Sequence, residues 1–530
     1  MDPLLQDTVR RWADRRPEHP AIAATDATLE YAELWRRATA LAAALHGRGV
    51  RRGDRVVIFM DNVPECPIGL LGVWLADAVA VPVNAQTKSE KLAWILGHCE
   101  AAALLSEGHL APVFTPAVDG RDLRAVFATA GDGDPLPVGE PLDVALSYAG
   151  REPPPSRNIP LDIAAILYTS GTTGDPKGVT HTHQSLGFAR DSIAYYLEMT
   201  PDDRVMCTLP MSFGYGLFQL LPATAVGATV VLERNFIYPA TVFQRMTSHA
   251  VTTFAGVPTT FAIILAHDAK RPLRFPSVRL VTNAGDALPL EFIAGIQRIF
   301  PSAGLVKMYG QTECIRACYL PAPLATVHPA SVGVAIPGSE LLLLDEEGDE
   351  VGPHETGTLH VRGPHVMLGY WKDPERTDGM LVPGPAPGEK MLRTGDHFRR
   401  DSEGFLYFVG RQDDIIKSRG EKVSPIEVEN AIYRVPEVAE AIVLGLPDPV
   451  LGQVVCALVV PKPEETLLEN DVKRVCKALL ETYMVPAHVL VVDALPRTGR
   501  GKLSRKLVAE HFEGQLLALT RPRSMPEVRP

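Results

Sequence analysis

Short apolar runs alternate with helix-length amphipathic stretches along the chain from Arg55 onward. The runs RVVIF and VAVPV flank VPECPIGLLGVWLADA, and TKSEKLAWILGHCEA follows before the run AALL. This alternation is typical of an α/β fold with a largely parallel sheet. It breaks at a proline-rich stretch, residues 153–155, and resumes through AAILYT, ATVVL and RLVTNAG. The pattern therefore predicts two α/β lobes, at about 1–155 and 156–330.

The pattern changes twice more towards the C-terminus. Beyond Ser331, glycine-rich turns separate β-like runs such as GTLHVRG and GFLYFVG, which indicates a small β-rich part at about 331–410. After Gly410, strand-like and helix-like segments alternate over about 120 residues, which is enough for a separate α+β domain. We predict an N-terminal domain at 1–410 and a C-terminal domain at 411–530.

Composition excludes several classes of protein. With 46% hydrophobic and 22% charged residues, the 530-residue chain has the apolar content of a folded globular protein. The net charge of −11 and the absence of a long basic run argue against nucleic acid or an anionic membrane as the partner. Seven scattered cysteines and a charged N-terminal segment predict a cytoplasmic protein without a secretory signal. The uncharged stretch 205–232 is broken by prolines and glycines, so we predict buried interior and no membrane span.

The most informative string is YTSGTTGDPKGVTHTH, from Tyr168 to His183. It follows an apolar run, precedes a helical pattern, and places hydroxyls, glycines and Lys177 within a few residues. Glycines let backbone amides approach an anion, while hydroxyls and a lysine add donors and charge. The spacing is not that of the Walker loop, because Gly178 follows the lysine in place of Ser or Thr. We predict a loop that holds a polyphosphate; the alternative is a flexible surface loop.

Four further strings carry chemistry that is weak in isolation. MYGQTEC (308–314) combines an aromatic ring, a hydroxyl and a carboxylate, which suit a purine, a phosphate and Mg²⁺. RTGDHF (393–398) places an aspartate on a glycine turn, where it suits sugar hydroxyls. GRQDDIIKSRGEKVSPIEVE (410–429) lies at the predicted domain boundary, and PRTGRGKLSR (496–505) is a basic loop. Each string by itself also suits an ordinary turn or a solvated surface.

In this order the five strings resemble the acyl-adenylate-forming superfamily, which includes acyl-CoA synthetases and aryl-acid ligases of the benzoate and 4-coumarate types. The resemblance extends from the segment LEYAEL (29–34) to Lys502. It implies a small C-terminal domain that turns between two half-reactions. It also implies a ligase that uses ATP and Mg²⁺ to convert a carboxylic acid to an acyl-adenylate, followed by transfer to coenzyme A.

The resemblance also implies roles for individual residues. The loop that holds the β- and γ-phosphates of ATP is matched by Thr169, Ser170, Gly171, Thr172, Thr173, Gly174 and Lys177. The adenosine and α-phosphate contacts are matched by Gly285, Asp286, Ala287, Tyr309 and Thr312, and the ribose contacts by Asp396 and Arg411. Glu313 matches the Mg²⁺ ligand, Asp413 the hinge, Lys502 the lysine of adenylation and Lys417 a lysine of the second half-reaction.

The acyl pocket is predicted by the same comparison. Its lining is matched by Phe213, Gly214, Tyr215, Gly256, Val257, Asn283, Met308 and Gly310, a set that looks apolar and neutral. Gly214 stands where amino-acid-activating relatives place an aspartate against the ammonium group, so an α-amino acid substrate is not expected. We predict an aromatic or medium-sized aliphatic acid.

The acceptor stays open. In 4-coumarate-type ligases a glutamine follows the lysine of the second half-reaction by five residues, whereas this chain has Lys422. One reading is an acid–CoA ligase. A second is a stand-alone adenylating enzyme of secondary-metabolite biosynthesis, which passes the acyl group to a separate carrier protein or to an amine. A third is a nucleotide-binding protein without catalysis.

Overall fold

The chain forms two compact units. The computed structural model describes residues 2–25, 27–130, 136–147, 153–169, 176–411, 414, 416–418, 421–448, 452–480, 482, 484–498 and 503–520. The first unit comprises Met1–Leu288, Ala294–Leu342 and His360–Thr394, and the second comprises Pro289–Ile293, Leu343–Leu359 and Gly395–Pro530. Within the described residues, no helix combines the length and apolar character needed to cross a bilayer.

The strands, β1 to β27 in chain order, are Pro20–Ala23, Thr28–Glu30, Arg55–Met60, Val79–Asn84, Ala101–Ser106, Ala125–Ala128, Glu140–Pro141, Ile163–Thr169, Lys177–Thr182, Arg204–Cys207, Thr229–Leu232, Thr253–Gly256, Leu280–Asn283, Gly304–Tyr309, Cys318–Leu320, Val334–Ala335, Glu340–Leu344, Thr356–Arg362, Gly369–Tyr370, Leu381–Pro383, Lys390–Arg400, Leu406–Arg411, Ile416–Ser418, Glu421–Val423, Val438–Asp448, Gly452–Pro461 and His488–Val491.

The α-helices, α1 to α16, are Asp7–Arg15, Tyr31–Gly47, Glu65–Leu75, Ser89–His98, Ala111–Val118, Leu142–Leu146, His183–Tyr196, Gly214–Val226, Pro239–Ser248, Pro258–Lys270, Phe292–Ile299, Pro374–Met380, Pro425–Ile432, Glu469–Leu479, Arg505–His511 and Glu513–Thr520.

Two large sheets organise the first unit. One has the strand order β19-β9-β8-β4-β3-β5-β6-β7, and the other has the order β16-β15-β14-β13-β12-β10-β11-β1-β2. Their central strands are parallel, as the alternation of strands and helices predicts. The sheets do not divide at residue 155, because β1 pairs in parallel with β11 and β19 pairs with β9. Edge strands thus join the sheets from distant parts of the chain.

The helices between these sheets share one hydrophobic core. Alternate residues of β3 face opposite sides: Val56 and Ile58 join the core with α2, α3, α7 and α8, whereas Val57 and Phe59 pack with α4 and α5. The uncharged stretch 205–232 becomes β10, α8 and β11, and most of its residues are buried. The predicted interior placement of this stretch is confirmed.

The remaining strands form two smaller sheets. One is antiparallel in its described pairings and has the order β17-β18-β21-β20, with β22 paired to β21. The other, in the second unit, has the order β24-β23-β26-β25, with β27 parallel to β26. Helices α13 and α14 pack on one side of this sheet, and α15 and α16 pack on the other. The predicted class, two α/β lobes with a β-rich part and an α+β unit, is confirmed.

Candidate active site

The parallel strands β12, β13 and β14 end side by side in the first unit. Gly256 is the register partner of Asn283, and Asn283 is the register partner of Lys307 two residues before β14 ends. The Asn283 side chain donates a hydrogen bond of 3.3 Å to the Gly256 carbonyl. Ligands of open α/β sheets bind at the carboxyl ends of the strands. The predicted residues Gly256, Asn283, Met308 and Tyr309 lie at this edge.

The phosphate-loop string is the connection between β8 and β9. Thr169 and Lys177 are register partners in this antiparallel pair, so the chain leaves and re-enters the sheet at one place. The Thr169 hydroxyl is buried and has no hydrogen-bond partner among the described residues. Residues 170–175, which include the predicted Ser170, Gly171, Thr172, Thr173 and Gly174, lie outside the described residues.

Lys177 and Glu313, 136 residues apart, meet at the centre of the site. The Lys177 ammonium lies 2.7 Å from Oε1 of Glu313 and 2.8 Å from the Tyr370 hydroxyl, and it sits 4.6 Å from the centre of the Tyr370 ring. Tyr370 donates a hydrogen bond of 2.6 Å to the same Oε1. Both side-chain hydrogen bonds of Glu313 thus fall on Oε1. Among the described residues, no side chain donates to Oε2.

The charges of this cluster stabilise one another. Glu313 is only 6% exposed, and burial alone would raise the pKa of its carboxyl; the Lys177 charge and the hydrogen bonds from Lys177 and Tyr370 bring that pKa below its ordinary value. Burial and the adjacent carboxylate raise the pKa of Tyr370. At neutral pH the Glu313 carboxylate is therefore ionised and the Tyr370 phenol is neutral.

His181 fixes the backbone next to Glu313. Its Nε2 lies 2.8 Å from the Thr312 carbonyl and its Nδ1 lies 3.1 Å from the Ser185 hydroxyl. Burial lowers the pKa of His181 to about 4, so the ring is neutral at pH 7. A carbonyl only accepts, hence Nε2 carries the proton and Nδ1 accepts from Ser185. Ser185 also completes a capping box with Thr182 at the start of α7, which anchors the histidine to a helix.

The loop between β14 and β15 makes a close approach and carries backbone strain. A Cβ at Gly310 would lie 2.4 Å from the Ile315 carbonyl oxygen, so only glycine fits there without displacing the loop. Ile315 has φ +59°, a left-handed conformation that a β-branched residue rarely adopts. This turn separates Glu313, at the Lys177 cluster, from Arg316, whose guanidinium lies 5.3 Å from the centre of the Tyr215 ring.

A narrow cavity lies beside this edge of the sheet. It is lined by Ile193, Leu197, Met199, Val205, Tyr215, Phe218, Gln219, Thr253, Thr282, Met308 and Arg316. Tyr215 and Met308 are predicted pocket residues, and the Tyr215 hydroxyl lies 2.8 Å from that of Thr282. Arg316 adds a buried cation to the lining of this cavity, whereas the predicted pocket residues are all neutral. The other predicted pocket residues flank helix starts or strand ends: Phe213 and Gly214 at α8, and Val257 at α10.

The remaining predicted residues are placed as follows. Gly285, with φ +90°, Asp286 and Ala287 form an exposed turn after β13. In the second unit, Asp396 is buried in β21 opposite Arg411 of β22, and Lys417 of β23 is the register partner of Lys422 in β24. Asp413, Lys502 and the side chains of Arg411, Lys417 and Lys422 lie outside the described residues.

Sequence reasoning missed three residues of the site. His181 stood in the phosphate-loop string, where a histidine directly before a helix-capping threonine was a signal. Arg316 stood two residues beyond MYGQTEC, where a charge within a strongly apolar stretch was another. Tyr370 carried no such signal, because only the pairing of β19 with β9 brings it to Lys177.

Comparison with known proteins finds matches over most of the chain. A family described as AMP-binding enzyme matches residues 9–371, and the AMP-binding enzyme C-terminal domain matches residues 427–502. The chain is 30% identical to an oxalate–CoA ligase of Arabidopsis thaliana over 521 residues, covering 96% of this chain and 98% of that protein. It is 33% identical to an indoleacetate–CoA ligase of Aromatoleum aromaticum (strain DSM 19018 / LMG 30748 / EbN1) over 517 residues, 95% and 98% of the two chains. A solved structure of a benzoate CoA ligase from Burkholderia xenovorans LB400 superposes with a TM-score of 0.85 at 27% identity, covering 95% of this chain and 99% of that chain.

Proposed function

The chain belongs to the family of AMP-binding enzymes, and on that premise we propose that it is an AMP-forming acid–thiol ligase acting on a small carboxylic acid. The family match confirms the resemblance drawn from the five sequence strings. In the first half-reaction, a carboxylate oxygen of the acid attacks the α-phosphorus of ATP, pyrophosphate leaves, and an acyl-adenylate remains. In the second, the thiol sulfur of coenzyme A attacks the acyl carbon and AMP leaves.

The observation that carries this proposal is the Lys177–Glu313–Tyr370 cluster near the Thr169 hydroxyl, which has no partner within the described part of the chain. An orphaned buried donor and an ammonium at the start of a strand fit a polyphosphate. Oε2 of Glu313 is left for a hard cation, which prefers carboxylate oxygen, so the residues fit Mg²⁺. When bound, Mg²⁺ neutralises phosphate charge. Lys177 holds the departing phosphates by charge and hydrogen bonds, and Tyr370 keeps Oε1 of Glu313 engaged.

His181 and Lys502 complete the first half-reaction. The His181–Thr312 hydrogen bond fixes the loop on which Thr312 and Glu313 are carried, so these groups need no reorganisation as charge develops. Lys502, by resemblance, reaches the carboxylate and the α-phosphate and offsets the repulsion between these two anions. Asp396 and Arg411 would bind the ribose, and Asp413 would be the hinge of the C-terminal domain, predicted at 411–530.

The acid is proposed to lie in the cavity that contains Tyr215 and Met308. Gly214, at the first position of α8, presents no carboxylate, so an α-amino acid would leave its ammonium without a partner. This supports a substrate drawn from other aromatic or aliphatic acids. None of the seven cysteines, which all lie in the described part of the chain, forms a disulfide, and all are buried. This suits a reducing compartment, and we place the reaction in the cytoplasm.

A second candidate acceptor is favoured by Lys422. Its backbone lies directly opposite Lys417 in the β23–β24 pair, so two lysines share the place where 4-coumarate-type ligases have a lysine and a glutamine. A cationic pair suits an acidic acceptor surface, such as a separate carrier protein bearing a thiol. An amine acceptor would use the same adenylate.

The deciding experiment is a mass-spectrometric panel. Purified enzyme with ATP, Mg²⁺ and single acids is assayed with and without coenzyme A, and acid-dependent exchange of pyrophosphate into ATP is followed in parallel. Acyl-CoA formation is the expected result. Acyl-AMP that persists with coenzyme A present would instead direct the search to a carrier protein or an amine.

Two variants sharpen this experiment. Lys502→Ala is expected to slow exchange by roughly 100-fold, the scale on which a key electrostatic donor acts. Lys506→Ala, an exposed lysine in the same basic region, is the matched control and is expected to retain full rate. Absence of exchange with every acid, in wild-type enzyme that binds ATP, would favour a nucleotide-binding protein without catalysis.

A further inference from the structure

Arg316 is a buried cation without a carboxylate partner in the described part of the chain. The residue is 3% exposed, and Nε of its guanidinium has no hydrogen-bond partner among the residues that the structure describes. Its guanidinium lies 5.3 Å from the centre of the Tyr215 ring and near the Tyr196 phenol. The Tyr196 hydroxyl donates to the sulfur of Met308 at 3.0 Å. Phenols and a ring face attract the guanidinium but do not neutralise it.

The other buried arginines of the described residues are neutralised. Arg190 pairs with Asp191 at 2.7 Å, and Arg245 pairs with Glu233. Removing a charge from water without an opposite charge has an effective penalty of several kcal/mol. Arg316 is therefore the exception, and a missing anion is the simplest source of compensation.

The cavity beside Arg316 has the polarity for such an anion, and its free volume of about 10 Å³ holds one water, so a larger ligand enters only as the walls move apart. Arg316 forms part of its lining, together with Thr253, whose buried hydroxyl also has no hydrogen-bond partner among the described residues. Two unpartnered donors thus face one cavity, while Leu197, Val205 and Phe218 supply apolar wall. A ligand that suits this lining has a hydrocarbon body and an oxygen anion at one end. The planar fork of a guanidinium matches a carboxylate in two-point geometry.

We propose that Arg316 binds a second carboxylate of the acid substrate, remote from the carboxylate that is activated, and that the enzyme therefore selects dicarboxylic acids. The inference rests on the proposed function, because the carboxylate near Glu313 is assigned to adenylation. Arg316 follows Glu313 by three residues, on the far side of the left-handed turn at Ile315. One loop thus carries the group for nucleotide chemistry and the group for acid selection.

The test uses matched acids that differ at one end. Adipate is compared with its monomethyl ester and with hexanoate, and terephthalate with its monomethyl ester and with 4-methylbenzoate; linear diacids of three to eight carbons complete the panel. The enzymes are wild type, Arg316→Met, Arg316→Lys and the control Arg298→Met, an exposed arginine whose partner is Asp268. The readout is kcat/KM for pyrophosphate exchange, with kcat and KM resolved separately.

Wild type is expected to prefer at least one diacid over its monoester and its methyl analogue by 10-fold or more. Arg316→Met should lose about 30-fold to 1000-fold for that diacid, mainly through KM, and keep or gain activity with the methyl analogue. Arg316→Lys should be intermediate, and Arg298→Met should match wild type. A wild-type preference for monoacids, or an equal loss for all acids in Arg316→Met, would overturn the assignment.

A binding measurement separates this inference from the proposed function. With AMP present, the preferred diacid is expected to raise the thermal midpoint of wild type and of Arg298→Met but not of Arg316→Met. If exchange fails with every acid but this difference in protection persists, the diacid site stands and the catalytic proposal fails. If no diacid of the panel protects wild type, the assignment of Arg316 is wrong.

Discussion

The ion pair between Lys177 and Glu313 offers a quantitative test of the site. Replacing Lys177 with Met removes the ammonium and keeps much of the side-chain volume. Of the described side chains, the Tyr370 hydroxyl alone then still donates to Glu313, whose side chain is only 8% exposed. Breaking a buried ion pair by removing one partner destabilises a fold by about 3–5 kcal/mol. Because the Lys177 side chain is 23% exposed, we expect the lower end, a loss of about 3 kcal/mol in the free energy of unfolding.

A double-mutant cycle isolates the interaction. Lys177→Met/Glu313→Gln leaves no buried charge at this pair, so it should recover much of the stability lost in Lys177→Met. We expect a coupling energy of about 2 kcal/mol or more, in the range of contacting charged groups. The control is Arg36→Met, which breaks an exposed pair with Glu33 and should cost under about 1 kcal/mol.

Tryptophan fluorescence measures the unfolding of the first structural unit, which contains this ion pair. The five tryptophans, Trp12, Trp35, Trp74, Trp94 and Trp371, all belong to the first unit. Urea unfolding followed by their emission therefore reports the unit that contains the ion pair. This matters because a single free energy of unfolding is not defined for a chain whose units unfold separately.

The pH dependence has a definite sign. In wild type the folded-state pKa of Glu313 lies below its ordinary value, so its stabilising contribution is present above about pH 4.5 and is lost as the pH falls through the folded pKa. In Lys177→Met, burial should raise that pKa, so the deficit relative to wild type should shrink as the pH falls from 7 towards 4.5. Two results would refute the reasoning. One is a stability difference between wild type and Lys177→Met that does not change with pH. The other is a double variant whose loss of stability equals the sum of the losses in the two single variants.

Three other variants follow from buried groups of the first unit. His365 is stacked on Phe188 and has no hydrogen-bond partner among the described residues, and burial lowers its pKa to about 4. His365→Phe should therefore leave the free energy of unfolding at pH 7 unchanged or raise it. Wild type should lose about 3 kcal/mol more stability than this variant between pH 6.5 and pH 4, as measured by urea unfolding at each pH. Thr169→Val should leave the urea midpoint unchanged or higher but raise KM for ATP about 10-fold, and an unchanged KM would contradict the phosphate role of this hydroxyl. Gly310→Ala should lower the free energy of unfolding and should slow pyrophosphate exchange by 10-fold or more, because its Cβ collides with the Ile315 carbonyl. Wild-type kinetics in this variant would show that the loop shifts freely.

Local sequence predicts the elements of the site but not all of its partners. The run AAILYT predicts β8 and the apolar run before MYGQTEC predicts β14, so the loops with chemistry fall at strand ends as expected. The chemical character of the side chains in these loops can be inferred from each residue type alone. The resemblance assigned Lys177 and Glu313 to the phosphates and the Mg²⁺ of one nucleotide, but it did not predict their direct contact.

What the sequence could not provide depends on pairing between distant strands. Tyr370 reaches Lys177 only because β19 joins the edge of the first sheet, and β1 lies beside β11 although more than 200 residues separate them. Such register choices are set by the whole sheet and leave no local periodicity. The buried charge beside the cavity was missed for a different reason, since Arg316 lies outside the matched motif and its burial is a property of the fold.

The loop from Gly310 to Arg316 combines a motif that the sequence predicts with features that depend on the whole fold. It violates three local rules at once: a backbone approach that excludes a Cβ, a β-branched residue at positive φ, and a buried cation without a carboxylate in the described residues. Each departure costs free energy, and strain of this kind persists only where the surrounding structure determines it. The hydrogen bond from His181 and the packing of Ile315 in the core provide that determination. Departures from local rules that converge on one loop are typical of functional segments. Here Glu313 is turned towards Lys177 and Tyr370, and Arg316 towards the cavity that contains Tyr215, which is the arrangement that the proposed roles in nucleotide and acid binding require.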